Sequence, residues 1–473
     1  MRFAVRAVAL SAAAAALCAA SPPPALPLAA VAAASGHAAL VHVRARATGT
    51  LEGRPFEVTF ERFGASLLMR RCIAEVCDGS WFDGNRRWTF GLNEVLLPDD
   101  GDLGLPQRRT LNAIASYLFA EPAFRSQGGT VAVAGPDAWR VRAHDGAELI
   151  ARVDPATHRL RSVETEAGET LAGFQGSLRA GPATIPREQS GADSVSLDSG
   201  QAVPGPIVPP AGPAVTYAGD GALKLSGDPV PIVPCTLAGH AVKCLIDTGA
   251  TPSAIALPLA EQLGLEPRGE LDIAAFDQFA TGFVEAGPLS LGAARFERAR
   301  FAVVPSTYAA RFDVVVGADL LARVRLRLDR AHGLAQITAP NDGSAGPAPV
   351  VATIPLRFRE GTPRLDAVLD GRAQQGAVFD SGDQSQLSFG YAAYRNGTQW
   401  PLVSRTQAVG MGDASEDAFI VDVPQVRIGP YDAGTTRAIV RRTQSNLHVG
   451  IGLWERFSIE IDEAAAQLVL HPR

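Results

Sequence analysis

Three tripeptides of the form Asp-Ser/Thr-Gly stand in the chain: Asp198-Ser199-Gly200, Asp247-Thr248-Gly249 and Asp380-Ser381-Gly382. A glycine after the hydroxyl residue lets the backbone turn tightly beneath a carboxylate. Two carboxylates held near one another cannot both ionise easily, so they share a proton and their apparent pKa values separate. One then serves as base on a bound water while its protonated partner polarises a carbonyl. Context separates the three occurrences. Asp198 has no hairpin before it and is set aside. Asp247 ends the apolar run Cys244-Leu245-Ile246, and Val314-Val315-Val316-Gly317 closes seventy residues later. Asp380 ends Ala377-Val378-Phe379, and Leu447-His448-Val449-Gly450 closes at the same distance. Apolar strands follow both, ending at Asp329 and Asp462. The offsets 380 − 247, 450 − 317 and 462 − 329 are all 133, an internal repeat with three anchors in register.

The elements that must position these aspartates read as strands. Before Asp247, Cys235 and Cys244 flank an expected two-residue Gly239-His240 turn, which sets them directly opposite in a non-hydrogen-bonded pair. That geometry allows a cross-strand disulfide, and Cys72 and Cys77 allow another around Ala74-Glu75. Free thiols and a metal site are the alternatives; neither pair has CxxC spacing or a histidine partner nearby. From 37 to 178 the pattern is mostly period two, as in Phe56-Glu57-Val58-Thr59-Phe60 and Trp139-Arg140-Val141-Arg142. One helix is expected over Arg108–Ala120, with Leu111, Ile114, Ala115 and Leu118 on one face. The stretch 179–214 is rich in Pro, Gly, Ser and Ala without periodicity and reads as a linker.

Strand–Asp-Thr/Ser-Gly with a downstream apolar-apolar-Gly, repeated over about Pro229–Arg473, resembles the retropepsin-like aspartic proteases. The resemblance implies two mostly β lobes, 215–340 and 341–473, related by a pseudo-twofold axis and each giving one aspartate to a shared cleft. Both lobes sit on one chain, as in pepsin-like enzymes, so a monomer would hold the whole dyad, Asp247 and Asp380. Thr248 and Ser381 would then hydrogen-bond across to the opposite loop, with Gly249 and Gly382 in the turns. Three positions depart from the family pattern. Asp383 stands where the first lobe has Ala250; it either raises the dyad's pKa by like-charge repulsion or, the reading preferred, points to solvent or pairs with an arginine. His448 occupies a slot held by Val315 in the first lobe and is either a pH-sensitive contact in the cleft or a structural histidine. No Gly-rich flap is evident at Phe276–Gly282, whereas Val409-Gly410-Met411-Gly412-Asp413 is more flap-like. The 37–178 stretch, with its turns at Trp81–Trp88 and Asp154–Leu160, is similar to the periplasmic lipoprotein-carrier fold, a curved antiparallel sheet with one helix.

Composition narrows the rest. With 43 basic and 49 acidic side chains the chain carries a formal −6, no basic stripe, and no reason to expect nucleic acid. Arg2 and Arg6 precede the apolar run Ala7–Ala20, an expected export signal ending near residue 20 or at 34. No other apolar run reaches membrane-spanning length, so a periplasmic or secreted bacterial protein is expected. The eight histidines form no His-Glu-x-x-His pattern, and no nucleotide loop or nucleophile elbow is present, so neither metal nor cofactor is expected. The reading is mainly β: an exported aspartic endopeptidase with a polypeptide substrate and a β-rich accessory domain. Its rivals are a catalytically weak peptide-binding module and a carrier whose function lies in the first domain. An apolar, ligand-sized concavity there would favour the carrier, and an open cleft over both aspartates the peptidase.

Overall fold

The computed structural model describes residues 27–473 apart from 52–53, 102–103, 189–198, 228, 275–277, 306–310, 341–348, 396–399, 410–414, 443 and 464. The expected export signal up to residue 26, Asp198, Phe276 and the flap-like Gly410–Asp413 lie outside the described residues.

The described chain is mainly β. After a short helix α1 (Leu28–Ala34) come β1 (Val43–Leu51), β2 (Arg54–Phe63), β3 (Ser66–Ile73), β4 (Val76–Phe82), β5 (Arg87–Phe90) and β6 (Leu97–Pro98), an antiparallel meander. Cys72 lies directly opposite Cys77 at the β3–β4 turn and is bonded to it, as the spacing predicted. A second sheet follows: β7 (Thr130–Gly135), β8 (Ala138–Arg142), β9 (Glu148–Val153), β10 (Leu160–Glu164), β11 (Thr170–Ala180) and β12 (Ala183–Glu188). Trp139 and Val141 point inward while Arg140 and Arg142 face water, the period-two pattern of a half-buried strand. Between the sheets, α2 (Leu105–Ala115) buries Ile114. It begins and ends earlier than the expected 108–120. Pro106 suits the first helical turn, and Tyr117 leaves the helix at φ 61° to bury its ring, its hydroxyl accepting the Leu160 N–H at 3.0 Å. Val31 and Ala32 of α1 share the core with Ile114 and Trp139.

The stretch 179–214, expected as a linker, contributes two strands. β12 pairs with β11, and β13 (Ser199–Ala202) adds to the free edge of β1. Edge strands of four and six residues are too short to show a hydrophobic period.

Most buried residues beyond 214 share a core running from Val233 to Leu470, and a smaller cluster about Ile232, Leu245, Phe312 and Val315 packs separately. β14 (Val215–Tyr217) and β15 (Ala222–Lys224) lead to the hairpin of β16 (Ile232–Leu237) and β17 (His240–Ile246). Its turn is Ala238-Gly239, with φ of 52° and 86°, not Gly239-His240. Cys235 therefore faces Val242, and Cys244 faces Val233. The two cysteines are diagonal neighbours on one face rather than directly opposed, and they are still bonded. An alanine at positive φ carries no signal in residue type, which is why the register came out shifted.

β18 (Ala254–Ala256), β19 (Arg268–Ala274), β20 (Gln278–Ala286), β21 (Leu289–Leu291), β22 (Ala294–Phe296), β23 (Ala299–Val304) and β24 (Val314–Val316) complete a ten-stranded sheet with β14, β16 and β17. Then come β25 (Arg325–Asp329), β26 (Leu334–Thr338) and β27 (Ala352–Pro355). An eight-stranded sheet holds β28 (Arg357–Arg359), β29 (Thr362–Leu369), β30 (Arg372–Asp380), β31 (Leu387–Gly390), β32 (Leu402–Val409), β33 (Ser415–Ile428), β34 (Tyr431–Arg441) and β35 (His448–Gly450). Last come β36 (Phe457–Asp462) and β37 (Gln467–Pro472). β36 pairs with β25, so a six-stranded sheet draws on both sequence repeats. The parallel pairing of β17 with β24, Leu245 opposite Val315, recurs in β30 with β35, Val378 opposite His448.

Candidate active site

Each aspartate sits at the buried end of a strand. Cys244, Leu245 and Ile246 pack beside Val314, Val315 and Val316, all without solvent access, and the Asp247 N–H donates to Val316 O at 3.0 Å. The chain then turns back, and Asp247 Oδ1 accepts the N–H groups of Gly249 at 2.9 Å and Ala250 at 3.1 Å. The second loop repeats this arrangement: Asp380 Oδ1 accepts Gly382 N–H at 2.9 Å and Asp383 N–H at 3.1 Å. Beneath the loops, Gly317 and Gly450 lie so close to carbonyls of the facing turns that a Cβ would stand 2.5 Å from Ala250 O and 2.2 Å from Ser385 O.

The two loops hold one another. Thr248 Oγ1 donates to Phe379 O and Ser381 Oγ to Ile246 O, each at 2.8 Å. In return Thr248 N–H donates to Ser381 Oγ and Ser381 N–H to Thr248 Oγ1, each at 3.0 Å. Four reciprocal bonds between buried groups therefore join residues 131 to 135 apart. Gly249 and Gly382 act differently from the expectation that they ease the turn, since neither lies at positive φ. What requires glycine is the opposite carboxyl group. A Cβ on Gly249 would stand 2.6 Å from Asp380 Cγ, and one on Gly382 would stand 2.4 Å from Asp247 Oδ2.

Asp247 and Asp380 share a hydrogen bond between their carboxyl groups, and their acidities diverge. Burial, followed by the charge of Asp380, lifts Asp247 well above the usual carboxylate range against the Gly249 and Ala250 N–H groups. Burial pushes Asp380 upward as well. It is outweighed by His448, through its hydrogen bond and its charge, by the Asp247 hydrogen bond and by the Asp383 N–H, leaving Asp380 below its ordinary value. Within the pair Asp247 is thus the weaker acid and Asp380, with His448 against it, the stronger.

His448 does more than line a cleft: Nδ1 lies 3.0 Å from Asp380 Oδ2, so it donates to the ionised carboxylate. Asp383 is half-buried and, among the described residues, pairs with no arginine. Its carboxylate accepts the Ser385 N–H at 2.8 Å and the Ser388 hydroxyl at 2.6 Å. Asp380, Asp383 and His448 each offer one metal-ligand atom within 4.8 Å of the others. The carboxylate oxygens of that group already accept the hydrogen bonds described here.

One supporting group escaped the sequence reading. Behind the first loop, Asp319 Oδ1 accepts the Ser253 N–H at 3.0 Å and the Ser253 hydroxyl at 2.6 Å, while Ser253 Oγ accepts Gly317 N–H at 2.9 Å. Its other oxygen accepts Asn93 Nδ2 at 2.7 Å. An aspartate inside the apolar Val314–Leu321 run was the available signal, since a buried carboxylate requires donors.

Residues 233–320 match a family model described as aspartyl protease. The match contains Asp247 and Gly317 and ends before the second aspartate loop. No curated protein matches the chain.

Proposed function

We propose that this protein is an aspartic endopeptidase that hydrolyses peptide bonds with a water activated between Asp247 and Asp380. The observation that carries the proposal is the reciprocal meeting of the two aspartate loops, each carboxyl seated against the other loop's glycine. Asp380, ionised and aligned by His448, takes a proton from the water as its oxygen attacks the scissile carbonyl carbon. Asp247 gives its proton to the carbonyl oxygen, and collapse of the tetrahedral species, with a proton passed to the nitrogen, releases the amine. The matching strand pairings about Asp247 and Asp380 support two lobes related by a pseudo-twofold axis. Both aspartates come from one chain, so the active unit is a monomer. Two disulfides favour an oxidising compartment outside the cytoplasm. Burial of Val31 and Ala32 in the first core supports removal of an export signal before α1, near residue 20, rather than at 34.

The carrier reading has one observation in its favour, a hollow of about 630 Å³ on the first sheet. Its lining includes Thr251, just past the first aspartate loop, and this supports a hollow that serves the peptidase rather than one that replaces it.

Incubating the exported chain with a diverse peptide pool from pH 3 to 8, beside Asp247→Asn and Asp380→Asn, tests the reading. Loss of either carboxyl is expected to slow cleavage by at least about 10²–10⁴-fold while circular dichroism stays unchanged. Cleavage by a folded Asp247→Asn chain at the wild-type rate would overturn it.

A further inference from the structure

The hollow is walled chiefly by apolar side chains of β1, β2 and β3, among them Val43, Val58, Phe60, Leu67 and Met69, with Phe174 of β11. Its volume of about 630 Å³ falls within the range of sites that enclose a ligand. The cations on its wall are engaged within the protein. Arg71 pairs with Asp78 at 2.6 Å and Arg87 with Asp99 at 3.1 Å, and Arg62 makes contacts of its own. The open apolar surface that dominates the wall favours an apolar occupant, because burial of apolar area is the favourable term it offers.

Two lining residues come from outside the first two sheets: Thr251 and Glu360. Thr251 follows Ala250, whose N–H is bound to Asp247. Four residues of chain span at most about 14 Å, so the hollow opens within that distance of the dyad. An extended peptide covers the same distance in about four residues. The sheet is also fastened in this position. Asp100 N–H donates to Phe358 O and Phe358 N–H to Asp100 Oδ2, both at 2.8 Å, and Leu97 packs against Gly361. On the opposite side Arg54 pairs with Glu270 at 3.2 Å and Glu75 with Arg268 at 3.3 Å, joining β2 and the β3–β4 turn to β19.

We infer that this hollow is a remote substrate subsite, taking an apolar segment of the polypeptide about four residues from the scissile bond. The first domain then forms a wall of the binding site and selects chains with an apolar stretch beside the cut. The inference rests on the peptidase reading, and the test keeps the two apart.

Two peptides sharing one cleaved core are compared, a short one and one extended by four apolar residues on either side in turn. Wild type is expected to cleave one extended form with at least tenfold higher kcat/KM. Met69→Glu and Leu67→Glu, both at half-exposed positions on the wall, are expected to abolish that preference while short-peptide cleavage stays unchanged; Met69→Leu is expected to retain it. In parallel, the full Asp247→Asn chain is loaded with Nile red and titrated with the extended peptide or with decanoate. Displacement by the peptide, lost in Met69→Glu, supports the subsite. A preference that survives both Glu variants, or displacement by decanoate alone, overturns it. Failure of wild type to cleave the short peptide counts against the peptidase reading, and dye displacement then decides the hollow by itself.

Discussion

His448 breaks the equivalence of the two aspartates. Val315, its counterpart in the first repeat, can donate nothing, so Asp247 Oδ2 lacks the donor that Asp380 Oδ2 receives at 3.0 Å. On the proposed peptidase reading the working state holds one proton on the pair, and activity is expected to fail at both ends of a pH window. As pH falls through the lowered Asp380 value the base is protonated, and as pH rises through the raised Asp247 value the acid is lost. Replacing His448 by Val removes a donor that favours ionised Asp380. The acid limb of kcat/KM against pH is therefore expected to move to higher pH, and His448→Gln, which can still donate, should restore part of the shift. An acid limb that stays in place in His448→Val would remove this residue from the dyad. Asp383, whose carboxylate is held by Ser385 and Ser388, shows why residue type alone misleads. A third acid beside a pair reads as repulsion, as a solvent-facing charge or as an arginine's partner until its own donors are seen.

At the scale of elements, hairpins carry the consequential details. The β36–β37 turn buries Glu463, and both its carboxyl oxygens lack a hydrogen-bond partner among the described residues. Burial, with Asp462 adding to it, lifts this carboxyl to about 8. A raised folded-state value favours the protonated form, so its contribution to stability is full below the ordinary glutamate range and is lost as pH rises to about 8. Glu463→Gln keeps the shape without the charge. Its thermal midpoint should match wild type near pH 4 and exceed it by several degrees at pH 8–9; equal midpoints across that range would mean the carboxyl finds partners on ionising. The β16–β17 hairpin shows how far element-level reading reaches. Which cysteines pair was legible, because both lie on one short hairpin. Which residues face each other was not, because Ala238 takes a backbone conformation that residue type does not announce.

At the scale of the whole molecule, the first two sheets are bound to the residues beyond 214 through a few buried polar anchors. Asn93 is the clearest of them. Its Oδ1 accepts the Arg300 N–H at 2.8 Å, and its Nδ2 donates to Arg300 O at 2.9 Å and Asp319 Oδ2 at 2.7 Å. Asp319 in turn holds Ser253 behind the first aspartate loop, and burial keeps its carboxyl above the ordinary range despite these donors. Asn93→Ala leaves the carboxyl and the Arg300 amide without this partner at a buried site, at a cost of about 1–3 kcal/mol. Calorimetry should show a lower unfolding midpoint and a separate, earlier transition for one part. A single transition at the wild-type temperature would show that Asn93 bears no such load.

The sequence by itself determined the two aspartates, their hydroxyl and glycine neighbours, the repeat that pairs them, the mainly β character and the cysteine partners. Each of these depends on local spacing: a strand ending in a turn, or two residues on one hairpin, follows from backbone geometry within a few residues. Only the tertiary structure decided that His448 reaches Asp380, that Asn93 reaches Asp319, and that the first sheet's hollow opens beside Thr251. Such contacts join residues from 68 to 226 positions apart, and they exist only once whole sheets have packed. No period or motif along the chain records which faces those sheets present to one another.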